Sequence, residues 1–268
     1  MSERGTIEPR LLRALDETTR FQGGQNWSIS DKDKSLLKFG RRASVGGTNV
    51  TVAPLAGVAH ETLLSTNAIT SVISSNDADN QTVTIEYHTI NGAADELTFG
   101  VQSVALDGQT AVTLPTACAR VSRVYNASST EMLGSIYVYE GGATTDGVPD
   151  TASEVHMQLL AGDQQSKKAA TSISNVDTYF ITGITTSAVA GTPGSQVMDF
   201  DLQTKALTGV WRPQLEWSCQ IGGLNTVSID LDPVIIVPRN HDVRITCQAA
   251  SGTCDVSAMF RGYLALSS

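Results

Sequence analysis

The chain has 268 residues, of which 41% are hydrophobic and only 17% are charged, so it can bury a core in one large or two ordinary domains and is not a disordered protein. Its formal net charge of −9 argues against a general nucleic-acid binder, because such proteins need Lys and Arg to displace counterions from phosphates. Thr, Ser, Val, Gly and Ala dominate the composition, a mixture that favours pleated strands and tight turns over amphipathic helices.

Residues 1–48 differ in composition from the rest of the chain. The first 42 carry nine Lys and Arg against six Asp and Glu, a net of +3, whereas the rest carries nine against 21, a net of −12. A short helix is predicted from Pro9 to Arg20, since proline suits a first helical turn and the leucines make a small apolar face. One short helix cannot build a core, so we interpret residues 1–48 as a docking arm that packs on another protein. Its predicted anchors are Phe21, Trp27, Leu36, Leu37, Phe39, Arg41 and Arg42.

Short apolar runs separated by turn residues begin at about Thr48. Asn91-Gly92 and Asp107-Gly108 are strong hairpin signals, and the strands recur at roughly ten-residue spacing, which predicts a β-sandwich over residues 49–142. The stretch from Glu140 to Glu154 is rich in Gly, Thr and Asp and has no apolar run. We therefore predict a linker at residues 143–153.

Eight further strand-like runs follow between Val155 and Leu266, and eight is the number of strands in a jelly roll. Pro233 and Pro238 bracket the apolar run VIIV, which predicts that it lies at a sheet edge or outside a central ladder position. We therefore predict a second antiparallel sandwich, jelly-roll-like, over residues 154–268. The expected fold class is all-β, with an N-terminal extended arm followed by two antiparallel β-sandwich domains.

The chemistry-bearing residues form no recognisable catalytic pattern. The four histidines have no metal-ligand spacing, and the nucleophile-elbow and phosphate-loop motifs are missing from the sequence. Asp77 and Asp79 could share a calcium ion in a turn, although solvated turn acids are the favoured interpretation. We predict no catalytic residue, no cofactor and no metal, and we expect that the protein is not an enzyme.

Two other residue pairs leave alternatives open. Cys247 and Cys254 flank a turn and could form a cross-strand disulfide, but free buried thiols are favoured in a protein made in a cytoplasm. Trp211 and Trp217 would share one face of a continuous strand. Core packing or a subunit contact is favoured for them over a sugar-stacking platform.

Several segments together resemble a family of phage virion structural proteins found in marine and cyanobacterial phages. The segments are LLKFGRRASVGG (Leu36 to Gly47), SVISSNDADNQTVTIEY (Ser71 to Tyr87), LDGQTAVTLPTACARVSRVYN (Leu106 to Asn126), GSIYVYEGG (Gly134 to Gly142) and VHMQLLAGDQQSKKAATSIS (Val155 to Ser174). They match the family's Lys-Phe-Gly element, its polar Asp-bearing turn, its hairpin and its C-terminal sandwich. The resemblance covers most of residues 36–268 and implies a virion component built from β-domains.

The predicted function is that of a non-enzymatic phage virion structural protein, a capsid decoration (cement) or head-fibre protein anchored by its N-terminal arm. Expected partners are further copies of the chain, as a homotrimer, and phage capsid or tail proteins, with no nucleic acid and no membrane. The sequence has no apolar run of about 18 residues and no signal-peptide core, so we expect synthesis in the host cytoplasm and residence in the virion. The alternative is a tail appendage or fibre that binds a host surface glycan. Exposed aromatic residues in loops would mark it, and the stretch from Gly183 to Val197 contains none.

Overall fold

The computed structural model describes residues 33–55, 57–92, 95–191, 196–221 and 224–266, and nearly all of their regular structure is antiparallel β-strand. The predicted all-β class is therefore confirmed. The strands are β1 (Asp33–Val45), β2 (Val50–Thr51), β3 (Ile69–Ser74), β4 (Thr82–Asn91), β5 (Glu96–Ala105), β6 (Val112–Cys118), β7 (Arg120–Asn126), β8 (Ile136–Tyr139), β9 (Thr144–Thr145), β10 (Val148–Pro149), β11 (Val155–Leu159), β12 (Ala170–Ser172), β13 (Asp177–Ala190), β14 (Gln196–Ala206), β15 (Arg212–Ile221), β16 (Leu224–Val237), β17 (His241–Ala249) and β18 (Cys254–Leu266). A single 3-10 turn, Ala152–Glu154, accompanies them in the described residues.

Eight of these strands form a jelly roll that uses both ends of the described chain. One sheet has the order β1-β18-β13-β16 and the other has the order β12-β17-β14-β15, with the short β2 beside β17. The eight strands, in chain order, are β1, β12, β13, β14, β15, β16, β17 and β18. If they are numbered 1 to 8, one sheet has the order 1-8-3-6 and the other has the order 2-7-4-5. This is the strand order of a jelly roll. A jelly-roll-like sandwich is confirmed with seven of its eight predicted strands, β12 to β18, and β16, which contains the VIIV run, lies at a sheet edge as predicted.

The first jelly-roll strand comes from the segment that we predicted to be an arm. Residues 33–45 form β1 and pair with β18 from Asp33↔Ala265 to Val45↔Cys254, so the arm prediction is wrong for them. This strand could not be recognised from the sequence because its partner, β18, lies at the opposite end of the chain. The predicted helix, Phe21 and Trp27 lie outside the described residues.

A second β-sandwich is inserted between the first two jelly-roll strands, β1 and β12. This insert, residues 60–166, contains the sheets β11-β8-β3-β6 and β5-β4-β7 and the β9-β10 hairpin. β11 pairs with β8, so the strand predicted to open the second domain belongs to the insert. The predicted linker, residues 143–153, holds the β9-β10 hairpin and the 3-10 turn. Its Asp146 and Gly147 have positive φ, so these turn-forming residues mark a hairpin and not a domain boundary.

Each sandwich has its own apolar core, and a third cluster joins the two. Tyr179, Phe200 and Phe260 are among the largest side chains of the jelly-roll core, and each is at most 1% exposed. The core of the insert is mostly aliphatic. Ile90 and Leu97 of the insert pack with Leu207 of the jelly roll in the joining cluster, so apolar burial favours the docked arrangement of the two domains.

β1 touches both connections of the insert at Gly40. A Cβ atom at this position would collide with the carbonyl oxygen of Val52 and with the backbone of Ala169. Ala169 N–H donates to that carbonyl at 2.9 Å, and Arg41 N–H donates to the carbonyl of Lys167 at 3.2 Å. Glycine is therefore required where the strand meets the segments that enter and leave the insert.

Candidate functional site at the domain junction

The Lys-Phe-Gly element of β1 lies between the jelly roll and the insert. Lys38 is 6% exposed, and its ammonium group donates to the carbonyl of Ser122 at 3.1 Å and lies 3.9 Å from the carboxylate of Glu86. Burial lowers the pKa of Lys38 to about 8, although Glu86 opposes this shift. The Lys-Phe-Gly element thus supplies a buried cation to the junction.

A second buried group of charges surrounds Glu61 of the insert. Its carboxylate forms an ion pair with Lys168, which precedes β12, and its other oxygen lies 3.6 Å from Nδ1 of His156. The opposite ring nitrogen, Nε2, lies 3.1 Å from the carboxylate of Glu140. Burial alone would raise the pKa of Glu61, but Lys168 and His156 outweigh it and lower the pKa to about 2. Glu61 is therefore a buried carboxylate that stays ionised.

Arg120 of β7 and Asp242 of β17 form the most direct contact across the junction. The guanidinium Nε lies 3.1 Å from Oδ1, and Nη2 lies 3.3 Å from Oδ2. Arg120 Nη1 also donates to the carbonyls of Leu64 (2.6 Å) and Ala119 (2.9 Å), and the hydroxyl of Ser172 donates to Asp242 at 2.5 Å. Because this planar two-point contact is buried on both sides, it fixes the orientation as well as the position of the insert.

Backbone contacts complete the joint. Leu97 N–H donates to the side-chain oxygen of Asn240 at 2.9 Å, and Leu97 C=O accepts from Asn175 N–H at 2.7 Å. A cavity of about 20 Å³ lies among Glu61, Arg120 and the residues around them, which is room for about one water molecule. The junction therefore has the character of a packed interior.

A larger groove, of about 520 Å³, opens beside these contacts between β1 and the insert. Leu37 and Phe39 line its jelly-roll side, and Phe99 and His88 line its insert side. The two rings on the insert side meet edge to face with centroids 5.4 Å apart, and His88 Nδ1 lies 3.3 Å from the hydroxyl of Ser122. Burial, with Lys38 and other cations nearby, lowers the pKa of His88 to about 3, so the imidazole is neutral at physiological pH.

The predicted docking residues in β1 have contacts within their own chain. Leu36 packs against the jelly-roll core. The Arg42 guanidinium donates to the carbonyls of Thr51, Val58 and Ala59, so it holds the segment that leads into the insert. Leu37 and Phe39, each 36% exposed, border the groove, and Arg41 is exposed.

The candidate calcium turn is held by protein donors. The Asp79 side chain is fully buried and accepts hydrogen bonds from the Ser74 hydroxyl (2.6 Å) and from the N–H groups of Leu133 (2.9 Å) and Gly134 (2.8 Å). Asp77, by contrast, is exposed. Across the described ranges, no cluster of three or more His, Cys, Asp or Glu side chains could hold a metal ion.

All four cysteines are buried, as predicted for Cys247 and Cys254, and no disulfide joins them in the part of the chain that the structure describes. Burial raises the pKa of Cys118 and that of Cys247 to about 12. The tryptophans, by contrast, do not share a face. Trp217 stacks on Phe200 in the core with centroids 5.6 Å apart. Trp211 precedes β15 and lies over the guanidinium of Arg244, 3.9 Å from it.

Sequence reasoning missed the junction itself. Glu61, Arg120, Lys168 and Asp242 come from segments far apart in the chain, and none belongs to a short motif. The available signal was a charged residue at a strand position that is otherwise apolar or small, as with Arg120 in ACARVSRVY. Such a residue indicates a buried partner without identifying it.

No protein-family model and no curated protein matches the chain. Among solved structures, the chain is similar to infectious bursal virus-derived T=1 particles at 11% identity and a TM-score of 0.20, covering 97% of this chain and 75% of that chain. It is also similar to the infectious bursal disease virus Gt strain structure, at 11% identity and a TM-score of 0.20, covering 96% and 77% of the two chains. A VP2 subviral particle of the same virus matches at 9% identity and a TM-score of 0.19, covering 91% and 74%. At these scores the likeness carries no weight for fold or function.

In the ranges that the structure describes, no helix is both long enough and apolar enough to cross a membrane.

Proposed function

We propose that this chain is a non-enzymatic virion structural protein that assembles as a homo-oligomer, with a trimer as the proposed state. Within that role we favour a capsid decoration or head-fibre protein of a phage, made in the host cytoplasm and bound to capsid proteins. The finer assignment draws on the resemblance of the Lys-Phe-Gly element and the segments that follow it to phage structural proteins.

The observation that carries the proposal is a jelly roll whose inserted second sandwich is fixed in place by buried charges. Jelly rolls build virus capsid domains, but also lectins and cupins, so the fold alone does not select a function. Domains within one chain move relative to each other unless their interface is extensive. Here Arg120–Asp242, Glu61–Lys168 and the Leu97 cluster hold the insert in one orientation. A rigid two-domain body suits a unit that repeats with fixed symmetry on a particle surface.

The anchoring role now falls on residues 1–32, because residues 33–45 are a jelly-roll strand. A truncation that tests anchoring must therefore stop short of β1, and removal of residues 1–20 is the one to use, since removal of residues 1–47 would also remove β1 from its sheet. We expect virions made with the shorter truncation to lack the protein while the truncated chain remains soluble and folded. Normal incorporation of that chain would contradict anchoring by this segment.

Immunogold labelling of intact virions with an antibody against the jelly roll tests the location. Label over the heads supports a decoration or head-fibre protein. Label confined to the tail supports the alternative, a tail appendage that binds a host glycan, and makes glycan binding the next assay. Absence of label from permeabilised and intact particles alike would contradict a virion role.

A further inference from the structure

β1 offers an unpaired strand edge inside the groove. It pairs with β18 on one side only, and no described strand runs along its other side between Lys34 and Phe39. Beyond Gly40 that edge is covered, because Arg41 N–H donates to the carbonyl of Lys167. Neither a proline nor a bulge interrupts the open part of the strand. A regular row of free backbone N–H and C=O groups is a template for an added strand.

The groove has the length and the lining to receive such a strand. The open edge spans six residues, which is about 20 Å of strand. Leu37 and Phe39 border it on the jelly-roll side, and Phe99, which is 48% exposed, faces them from the insert. These three side chains would bury apolar surface if an extended segment carrying apolar residues lay between them.

The sequence that precedes β1 contains a segment of this kind. Thirty-two residues precede Asp33, and the chain enters β1 beside Lys34, at one end of the groove. In the stretch NWSIS, Trp27 and Ile29 alternate with polar residues, the pattern of a half-buried strand.

The segment is better placed to fill the groove of another copy than its own. To lie along its own β1, the segment would have to turn back within the few residues between Ile29 and Lys34, where the groove begins. The tightest hairpin loops need residues that tolerate positive φ, typically Gly or Asn-Gly, and the stretch from Ser30 to Asp33 contains neither Gly nor Asn. A segment from a second copy needs no reversal.

We propose that residues 21–32 of one copy add as a strand to the free edge of β1 in a second copy, with Trp27 and Ile29 packed against Leu37, Phe39 and Phe99. Passed from copy to copy in one direction, this exchange closes a ring and accounts for a cyclic oligomer. Residues 1–20 remain available for anchoring. The inference rests on the proposed self-association of the chain, but not on where the protein lies in the virion.

Cysteine cross-linking of full-length chains tests the exchange. One variant carries Ser28→Cys and a second carries Gln165→Cys, which lies exposed at the groove, while the native cysteines are buried. On oxidation of the co-expressed pair, we expect a covalent dimer on a denaturing gel. Gln214→Cys, exposed on β15 away from the groove, replaces Gln165→Cys as the control and should give none. A third variant carries both substitutions on the same chain. The proposal would be wrong if that variant forms a disulfide only within one chain, or if the co-expressed pair forms no disulfide.

Light scattering separates this inference from the proposed function. We expect Trp27→Asp to convert the wild-type oligomer to a monomer with unchanged circular dichroism. If the variant keeps the wild-type mass, the exchange is wrong while self-association stands. If the wild-type chain is itself a monomer at all concentrations, self-association and the exchange both fail.

Discussion

Arg120 and Asp242 meet across the domain junction through two parallel contacts, Nε to Oδ1 at 3.1 Å and Nη2 to Oδ2 at 3.3 Å, and both side chains are 3% exposed. One belongs to the insert and the other to the jelly roll. Removal of either partner leaves the other charge buried without compensation, and this energetic penalty ties the two domains together.

We therefore expect Arg120→Met to lower the free energy of unfolding by about 3–5 kcal/mol. The double variant Arg120→Met/Asp242→Leu should recover part of that loss, because it removes both charges. Urea denaturation measures both effects. Arg261→Met is the matched control, since Arg261 pairs with Asp230 at the surface, where that carboxylate is 85% exposed, and should cost under about 1 kcal/mol. Equal losses at the two sites would contradict the importance of the buried pair.

Acid should destabilise the protein through His88. Its pKa is about 3 in the folded chain and 6.5 in the reference state, so between these values the unfolded chain binds a proton that the folded chain does not. The free energy of unfolding is therefore undiminished by His88 above pH 6.5, and it falls as the pH drops toward 3. In urea titrations at several pH values, His88→Gln should show a shallower loss than the wild type over this window. His241→Gln, at the half-exposed start of β17, serves as the control, and identical pH profiles for His88→Gln and wild type would refute the assignment.

Asp79 should be a structural residue and not a cation ligand. Asp79→Ala leaves the N–H groups of Leu133 and Gly134 without their acceptor, and we expect a loss of about 3 kcal/mol or more in unfolding free energy. Asp77→Ala, at an exposed position two residues earlier, should change stability by less than about 0.5 kcal/mol. Addition of calcium should not raise the melting temperature of the wild type. A calcium-dependent increase that Asp79→Ala abolishes would restore the metal-site interpretation.

Gly40 should tolerate no side chain. Gly40→Ala places a methyl group against the backbone of Val52 and Ala169, and we expect a cost of about 1–3 kcal/mol or more, measured as a lower melting temperature. Gly46→Ala is the control just beyond β1, because the nearest atom to its Cβ would be 3.9 Å away. If the two variants have the same melting temperature, β1 does not approach the insert as closely as the structure shows.

The sequence by itself determined the class of structure. Val-, Thr- and Ser-rich runs separated by Gly and Asp turns predict strands because side-chain alternation and turn chemistry are local properties. Asn91 indeed ends β4, and Gly92 follows it in the connection to the paired strand β5. Asp107-Gly108 forms a tight turn too, but the strands on either side of it enter different sheets. Seven of the eight jelly-roll strands, β12 to β18, and the edge position of the VIIV run were predictable for the same local reasons.

Only the tertiary structure decided which strands belong together. From the sequence alone, β1 is predicted to be part of a polar arm and β11 to be the start of a second domain. In the structure, β1 pairs with β18 and β11 pairs with β8. Backbone pairing carries no sequence code of its own, because every residue except proline offers the same N–H and C=O groups. The junction depends on the same long-range choice. Arg120, Asp242, Glu61 and Lys168 are ordinary charged residues along the chain, and they become a buried joint only because the fold removes water from around them.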